Sequence, residues 1–131
     1  MRSHESYKYA ALLHASSIRL FLLHPGECDD PLVGELQTFQ LDAYLPTPAF
    51  EAISYVWGSS KPDHIVECDG KRLLVTQSLK NALQRVRHRK FPTYIWADAI
   101  CIDQSNMRER ELQVALMSAI FSEASTVSVC L

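Results

Sequence analysis

An excess charge of one sign, long apolar runs, closely spaced cysteines and internal repeats are all missing from this sequence, and each absence narrows what it does. Thirteen Lys and Arg against fifteen Asp and Glu leave a formal net charge of −2, so no bulk field draws the chain to nucleic acid or to an anionic membrane. No stretch approaches the roughly 20 apolar residues that span a bilayer. Ala10–Leu13 is far too short for the core of a secretory leader, and Arg2, His4, Glu5, Lys8 and His14 surround it. A cytoplasmic protein is therefore expected, with residues 1–15 a loosely ordered lead-in. Cys28, Cys68, Cys101 and Cys130 form no CxxC, and in a chain without a leader they are expected as reduced thiols. No segment is repetitive or of low complexity. What is present is ordinary for one globular domain. The chain has 131 residues, 47% apolar and 21% charged, a size that buries roughly two-thirds of its unfolded surface without staples.

Local patterns predict alternating strands and helices. Ile18–Leu23 is a short apolar run ended by His24-Pro25-Gly26, which reads as a strand and a turn. Leu32–Leu41 alternates loosely and is a second strand candidate. Ala52–Trp57 is strand-like and stops at Gly58. Ile65–Cys68 and Leu73–Val75 flank Asp69-Gly70, a dipeptide whose tolerance of positive φ favours a tight hairpin. Thr76 is a good N-cap, and Leu79, Ala82, Leu83 and Val86 place an amphipathic helix over about Gln77–Arg89. Thr93–Asp98 is a further strand that Ala99–Ile102 can extend. Asn106 and Glu109 have the spacing of a capping box, so a helix over about Met107–Glu123 follows, and Thr126–Leu131 is a last β-branched run. Strands alternating with amphipathic helices imply an α/β fold: a mixed, largely parallel sheet with helical crossovers and one β-hairpin.

Ligands in such sheets bind beyond the carboxyl ends of the strands. That edge should collect Trp57-Gly58-Ser59-Ser60, Asp98–Gln104 and the start of the last helix. On a helical wheel at about 100° per residue, Leu116 and Ile120 fall within about 20° of Glu109, and Gln113 about 40° away. Glu109 thus sits on the stripe that must face the sheet, whereas Glu111, Ser118 and Ser122 face away. A carboxylate there either caps backbone N–H groups or, with Gln113, lines a polar pocket as a general base or a ligand for a sugar hydroxyl. Asp98 and Asp103 lie nearby. They are read as partners for backbone donors or, with Glu109, as an acidic group able to share a proton or hold a metal.

Other features carry a bland reading beside a functional one. His24 with Cys28 and His64 with Cys68 have paired spacings able to supply zinc, but sit in a loop and a strand with no other sign of a site. Arg85, Arg87, His88, Arg89 and Lys90 crowd a helix C-terminus, where cations meet the carbonyl end of the dipole. No interleaved aromatics support a nucleic-acid surface. Cys101 lies in an apolar run with no neighbouring His, so it reads as a buried thiol rather than a nucleophile. Trp57 and Trp96 read as core, with Trp57 the better placed to reach a pocket because Gly58 lets the backbone turn beside it.

Three ordered blocks carry a resemblance. Phe50-Glu51-Ala52-Ile53-Ser54-Tyr55-Val56-Trp57-Gly58, then Trp96-Ala97-Asp98-Ala99-Ile100-Cys101-Ile102-Asp103-Gln104, then Glu109-Arg110-x-x-Gln113-Val114-x-x-Met117 resemble the fungal heterokaryon-incompatibility (HET) domain family. Cys68-Asp69-Gly70, Leu79-x-x-Ala82-Leu83 and the earlier Ile18-Arg19-Leu20 and Pro25-Gly26 fit the same pattern. The likeness is clear over residues 50–131 and weaker from 18, so residues 16–131 are expected to form one such domain, incomplete at its C-terminus. Phe50, Asp103, Phe121 and Cys130 depart from the residues usual in the family.

The resemblance implies nonself recognition between fungal individuals, a form of innate immunity in which the domain triggers programmed cell death. It also implies a distant kinship with TIR domains, some of which cleave NAD with a helical Glu. On that analogy Glu109 and Asp98 are the candidate catalytic residues. Tyr55, Trp57, Gly58, Ser59, Gln104 and Gln113 are the candidate ligand-binding ones. NAD enters only as a substrate, and no cofactor or metal is expected. The competing expectations are a signalling module that binds protein partners, homotypically or on a receptor, a TIR-like NAD hydrolase, and an inactive truncated remnant.

Overall fold

Ser17, Ile18, Arg19, Leu20, Phe21 and Leu23 are all buried, on both faces of the strand they form. A strand with no solvated face belongs inside a sheet covered on both sides, and β1 (Ser17–Leu23) is the middle strand of seven. The computed structural model describes residues 5–41, 47–55 and 61–130. Over these the chain runs through β1, β2 (Val33–Gln40), β3 (Glu51–Tyr55), β4 (His64–Cys68), β5 (Lys71–Val75), α1 (Gln77–Val86), β6 (Thr93–Trp96), α2 (Asp98–Cys101), α3 (Met107–Glu123) and β7 (Thr126–Cys130). The strand order is β5-β4-β2-β1-β6-β3-β7.

The architecture is the mixed α/β sheet expected from the sequence, with the hairpin and the helical crossovers in place. β6, β3 and β7 are mutually parallel, as are β2 and β4. β1 runs against both of its neighbours, and β4 against β5. In the β4–β5 hairpin Asp69 and Gly70 both take positive φ, 52° and 78°, as the Asp-Gly dipeptide predicts. Residues 5–7 extend the β5 edge: Tyr7 N donates to Arg72 O and Arg72 N to Glu5 O.

Two boundaries differ from expectation. Asp98 does not end a strand, and Ala99–Ile102 does not prolong one. Asp98–Cys101 is instead a single helical turn, in which the N–H groups of Ile100 and Cys101 reach back to Ala97 O. A short apolar run fits either conformation, and here the turn buries Ile100 and Cys101 while ending β6. α1 stops at Val86 rather than near Arg89, because Arg87 takes extended dihedrals and spends its side chain elsewhere. The guanidinium of Arg87 donates to the carbonyls of Glu27, Cys28, Asp30 and Pro31 and so fixes the loop between β1 and β2. The basic cluster at this helix end is thus partly structural. His88 Nδ1 accepts from the N–H groups of Lys90 and Phe91, and Arg89 lies 3.6 Å from Glu27.

The core joins β1, β3 and β6 to the buried stripes of α1 (Leu79, Ala82, Leu83) and α3 (Ile120). Trp96 meets Phe121 edge-on at 5.6 Å, docking α3 on β6. Close approach at the sheet centre requires Gly34: a Cβ there would strike Leu22 O and lie 2.5 Å from Phe21 Cζ. No helix among the described residues is long and apolar enough to cross a membrane.

Candidate functional site

Because β6, β3 and β7 are parallel, their carboxyl ends share one edge, and the crossover that follows β6 begins there. β1 runs antiparallel to β6, with Leu23 opposite Thr93 and Phe21 opposite Ile95. Its first residues therefore reach the same edge, and Arg19 lies level with the segment after Trp96. The start of α3 arrives at this edge too. Asn106 caps the helix by accepting from Glu109 N at 3.0 Å.

The Glu109 side chain does not complete a reciprocal capping box. It turns under the helix, 7% exposed, to Arg19, itself 3% exposed. Arg19 Nη1 donates to Oε2 at 2.8 Å and Nη2 to Oε1 at 2.9 Å, a two-pronged geometry that guanidinium and carboxylate share. Asp103 N donates to the same Oε2 at 2.5 Å. Arg19 also donates to Cys101 O at 3.1 Å and to Ala10 O at 2.6 Å. The Tyr9 ring lies 4.9 Å from the guanidinium carbon, and Tyr9 Oη donates to Ile100 O at 2.7 Å. Burial disfavours the Arg19 charge, but the hydrogen bonds and the charge of Glu109 outweigh it, so its pKa rises further above the ordinary guanidinium value. Six segments are thereby tied together: the lead-in, β1, the α2 turn, the loop at Asp103, the cap at Asn106 and α3.

Gln113, on the same stripe, is 1% exposed and donates to Ser17 O at 2.8 Å. Its Oε1 has no hydrogen-bond partner among the described residues, nor has Trp96 Nε1. Glu109 and Gln113 line a cleft of about 330 Å³ together with residues 11–15, Asn106, Arg108 and Leu112. Asp98 and Gln104 lie on the other flank of α3, in a hollow of about 300 Å³ shared with Ile102, Arg110, Val114 and Met117. Gln104 Nε2 donates to Asp98 O at 2.9 Å and so closes the α2 turn. Asp103 Oδ1 accepts from the N–H and hydroxyl of Ser105, which shapes the turn into the helix.

The structure thus brings Glu109 to Gln113 and Asp98 to Gln104, and α3 separates the two pairs. Tyr55 ends β3 at the shared edge, opposite Cys130. Trp57, Gly58 and Ser59 lie outside the described residues. Cys101 is buried, and burial pushes its thiol up to about 12, which suits a core residue and not a nucleophile. No group of three or more His, Cys, Asp and Glu side chains is arranged to hold a metal ion among the described residues. Reading the sequence missed Arg19 as the partner of Glu109. The available signal was one charge inside an otherwise apolar strand, since such a charge is seldom fully buried unless paired.

Comparison with protein-family models matches residues 50–131 to the family described as heterokaryon incompatibility protein (HET). A curated relative, the heterokaryon incompatibility protein 6, OR allele, of Neurospora crassa, is 36% identical over 141 aligned residues. That alignment covers 96% of this chain and 20% of the relative, so the chain spans about one fifth of the relative's length. No solved structure matches.

Proposed function

The chain belongs to the heterokaryon incompatibility (HET) family, and on that premise we propose that it is a cytosolic nonself-recognition module that promotes programmed cell death by binding protein partners. One observation carries the choice of binding over chemistry. The acid best placed for catalysis, Glu109, has both carboxylate oxygens engaged by Arg19 and one also by Asp103 N–H. A general base needs a lone pair aimed at its substrate. Here those lone pairs hold strand, turn and helix in one arrangement, so Glu109 acts as a positioning residue for the crossover edge. NAD cleavage by this side chain would require its release from Arg19, which strands a buried guanidinium.

Inducible expression of the chain in a filamentous fungus, scored by dye uptake and colony survival, tests the signalling role. Loss of viability that scales with folded protein is expected. Undiminished survival at high levels of folded chain contradicts it.

A further inference from the structure

The cleft between residues 11–15 and the start of α3 is lined by polar groups that the fold leaves unsatisfied. Gln113 lines it and is 1% exposed. One branch of its amide, Nε2, is spent on Ser17 O, and the other, Oε1, is buried without a hydrogen-bond partner among the described residues. Such acceptors are uncommon in folded proteins, because burial removes their water and nothing replaces it. At the helix end the surplus is of donors. Asn106 accepts from Glu109 N through its side chain and from Arg110 N through its carbonyl. The N–H groups of Met107 and Arg108 have no acceptor among the described residues. The Arg108 side chain is exposed, lines the same cleft and forms no ion pair among those residues. The dipole of a 17-residue helix adds partial positive charge here. Glu109, the one acid in the described lining, is neutralised by Arg19. Leu13 and Leu112, 86% and 43% exposed, give the lining apolar surface.

A ligand that satisfies all of these groups carries an anion, an N–H donor a short way from it, and an apolar side chain. From Arg108 to Gln113 the helix rises about 7.5 Å, and helical side chains lean back toward the helix start. One terminal residue about 3.5 Å long, with a hydrogen bond of about 2.9 Å at each end, spans such a gap. We infer that this cleft captures the carboxyl terminus of a partner polypeptide that ends in an apolar residue. The carboxylate accepts from the N–H groups of Met107 and Arg108 and from the Arg108 guanidinium. The last amide N–H donates to Gln113 Oε1, and the side chain packs on Leu13 and Leu112. Residues 11–13 make no backbone hydrogen bond among the described residues, so that wall can shift to open Oε1. Carboxyl-terminal capture by backbone N–H groups is a recurring mode of peptide recognition. Inorganic phosphate offers neither the donor nor the apolar body, and a free amino acid brings an ammonium group toward Arg108. The inference deepens the binding role proposed above and rests on it, by giving the partner's chemistry.

Titrating the isotope-labelled chain with acetyl-Ala-Ala-Leu, followed by NMR, tests it. Binding in the range of about 0.1–1 mM is expected for so small a ligand, with the largest shifts at the N–H groups of Met107 and Arg108 and at the Gln113 amide. The carboxamide of the same peptide should bind about tenfold more weakly or worse, and so should the acid to Arg108→Glu, since each removes charge-assisted hydrogen bonds. Arg110→Glu makes the same change of charge on the opposite side of the helix and should bind like the native chain. Both positions are exposed, so melting should not change. Absence of binding overturns the inference. So does binding indifferent to the carboxamide or to Arg108→Glu, or weakened equally by Arg110→Glu. Equal affinity for inorganic phosphate or for free leucine also overturns it, since the cleft would then take an anion or a metabolite and not a chain end. The fungal viability assay keeps the two proposals apart. A chain that kills but binds no peptide refutes only the carboxyl-terminal site, whereas one that binds the peptide as expected yet leaves cells viable refutes only the signalling role.

Discussion

Arg19 and Glu109 meet through two hydrogen bonds of 2.8 and 2.9 Å across 90 residues of chain, both side chains almost wholly out of water. Removing one partner of a buried pair leaves an uncompensated charge and costs about 3–5 kcal/mol. Arg19→Met and Glu109→Met should each lower stability by about that much, and the double variant Arg19→Met/Glu109→Met by clearly less than the sum. Denaturant unfolding of the four proteins gives the coupling directly. Additive losses would mean that the two groups act independently.

The glycine in β2 tests the packing at the sheet centre. Gly34 stands opposite Leu23, and a methyl there meets the backbone oxygen of Leu22 and the ring of Phe21. Neither is the free end of a flexible chain. Gly34→Ala should therefore destabilise by about 2–3 kcal/mol, the range for overpacking, despite alanine's lower cost in unfolded-chain entropy. Thermal melting reads the result, and an unchanged midpoint would show that β1 and β2 can part.

The cysteines should divide by burial. Cys28 is exposed, whereas Cys68 and Cys101 are buried with their thiols pushed upward by desolvation. An alkylating reagent followed by peptide mass spectrometry should modify Cys28 in the native protein, and Cys68 and Cys101 only on unfolding.

Alkaline pH should loosen the lead-in. Burial raises Tyr7 from about 10 to about 12 and Cys101 from about 9 to about 12, and it raises Tyr9 as well. Between the unfolded and folded values the unfolded chain has released protons that the folded chain still holds. The stabilisation is thus complete below about pH 9 and falls as pH rises toward 12. Chemical denaturation at stepped pH should show this decline, reduced in Tyr7→Phe. A flat profile above pH 9 would contradict the buried placement.

Much of the fold was legible because local chemistry and tertiary packing agree. Asn106 caps α3 as its spacing predicts, Asp69-Gly70 turns the hairpin, and the wheel put Glu109 and Gln113 on the buried stripe. Elements whose conformation depends on distant neighbours were harder to read. The residues of α2 form an apolar run with no distinguishing period, and α1 ends early because Arg87 is drawn to a loop 56 to 60 positions away. The acid at the site was visible, but its partner was not. Nothing local to Arg19 shows that β1 runs antiparallel to β6 and so delivers a guanidinium beneath α3.

A Glu109 carboxylate held by Arg19 and by Asp103 N–H is expected to position the fold and to perform no chemistry. NAD turnover by the purified chain at high concentration, beside Glu109→Gln, tests it most directly. Neither protein should consume NAD, and the variant should be much less stable. Turnover by the native chain that vanishes in a Glu109→Gln protein still shown to be folded would contradict it and make Glu109 a catalytic residue.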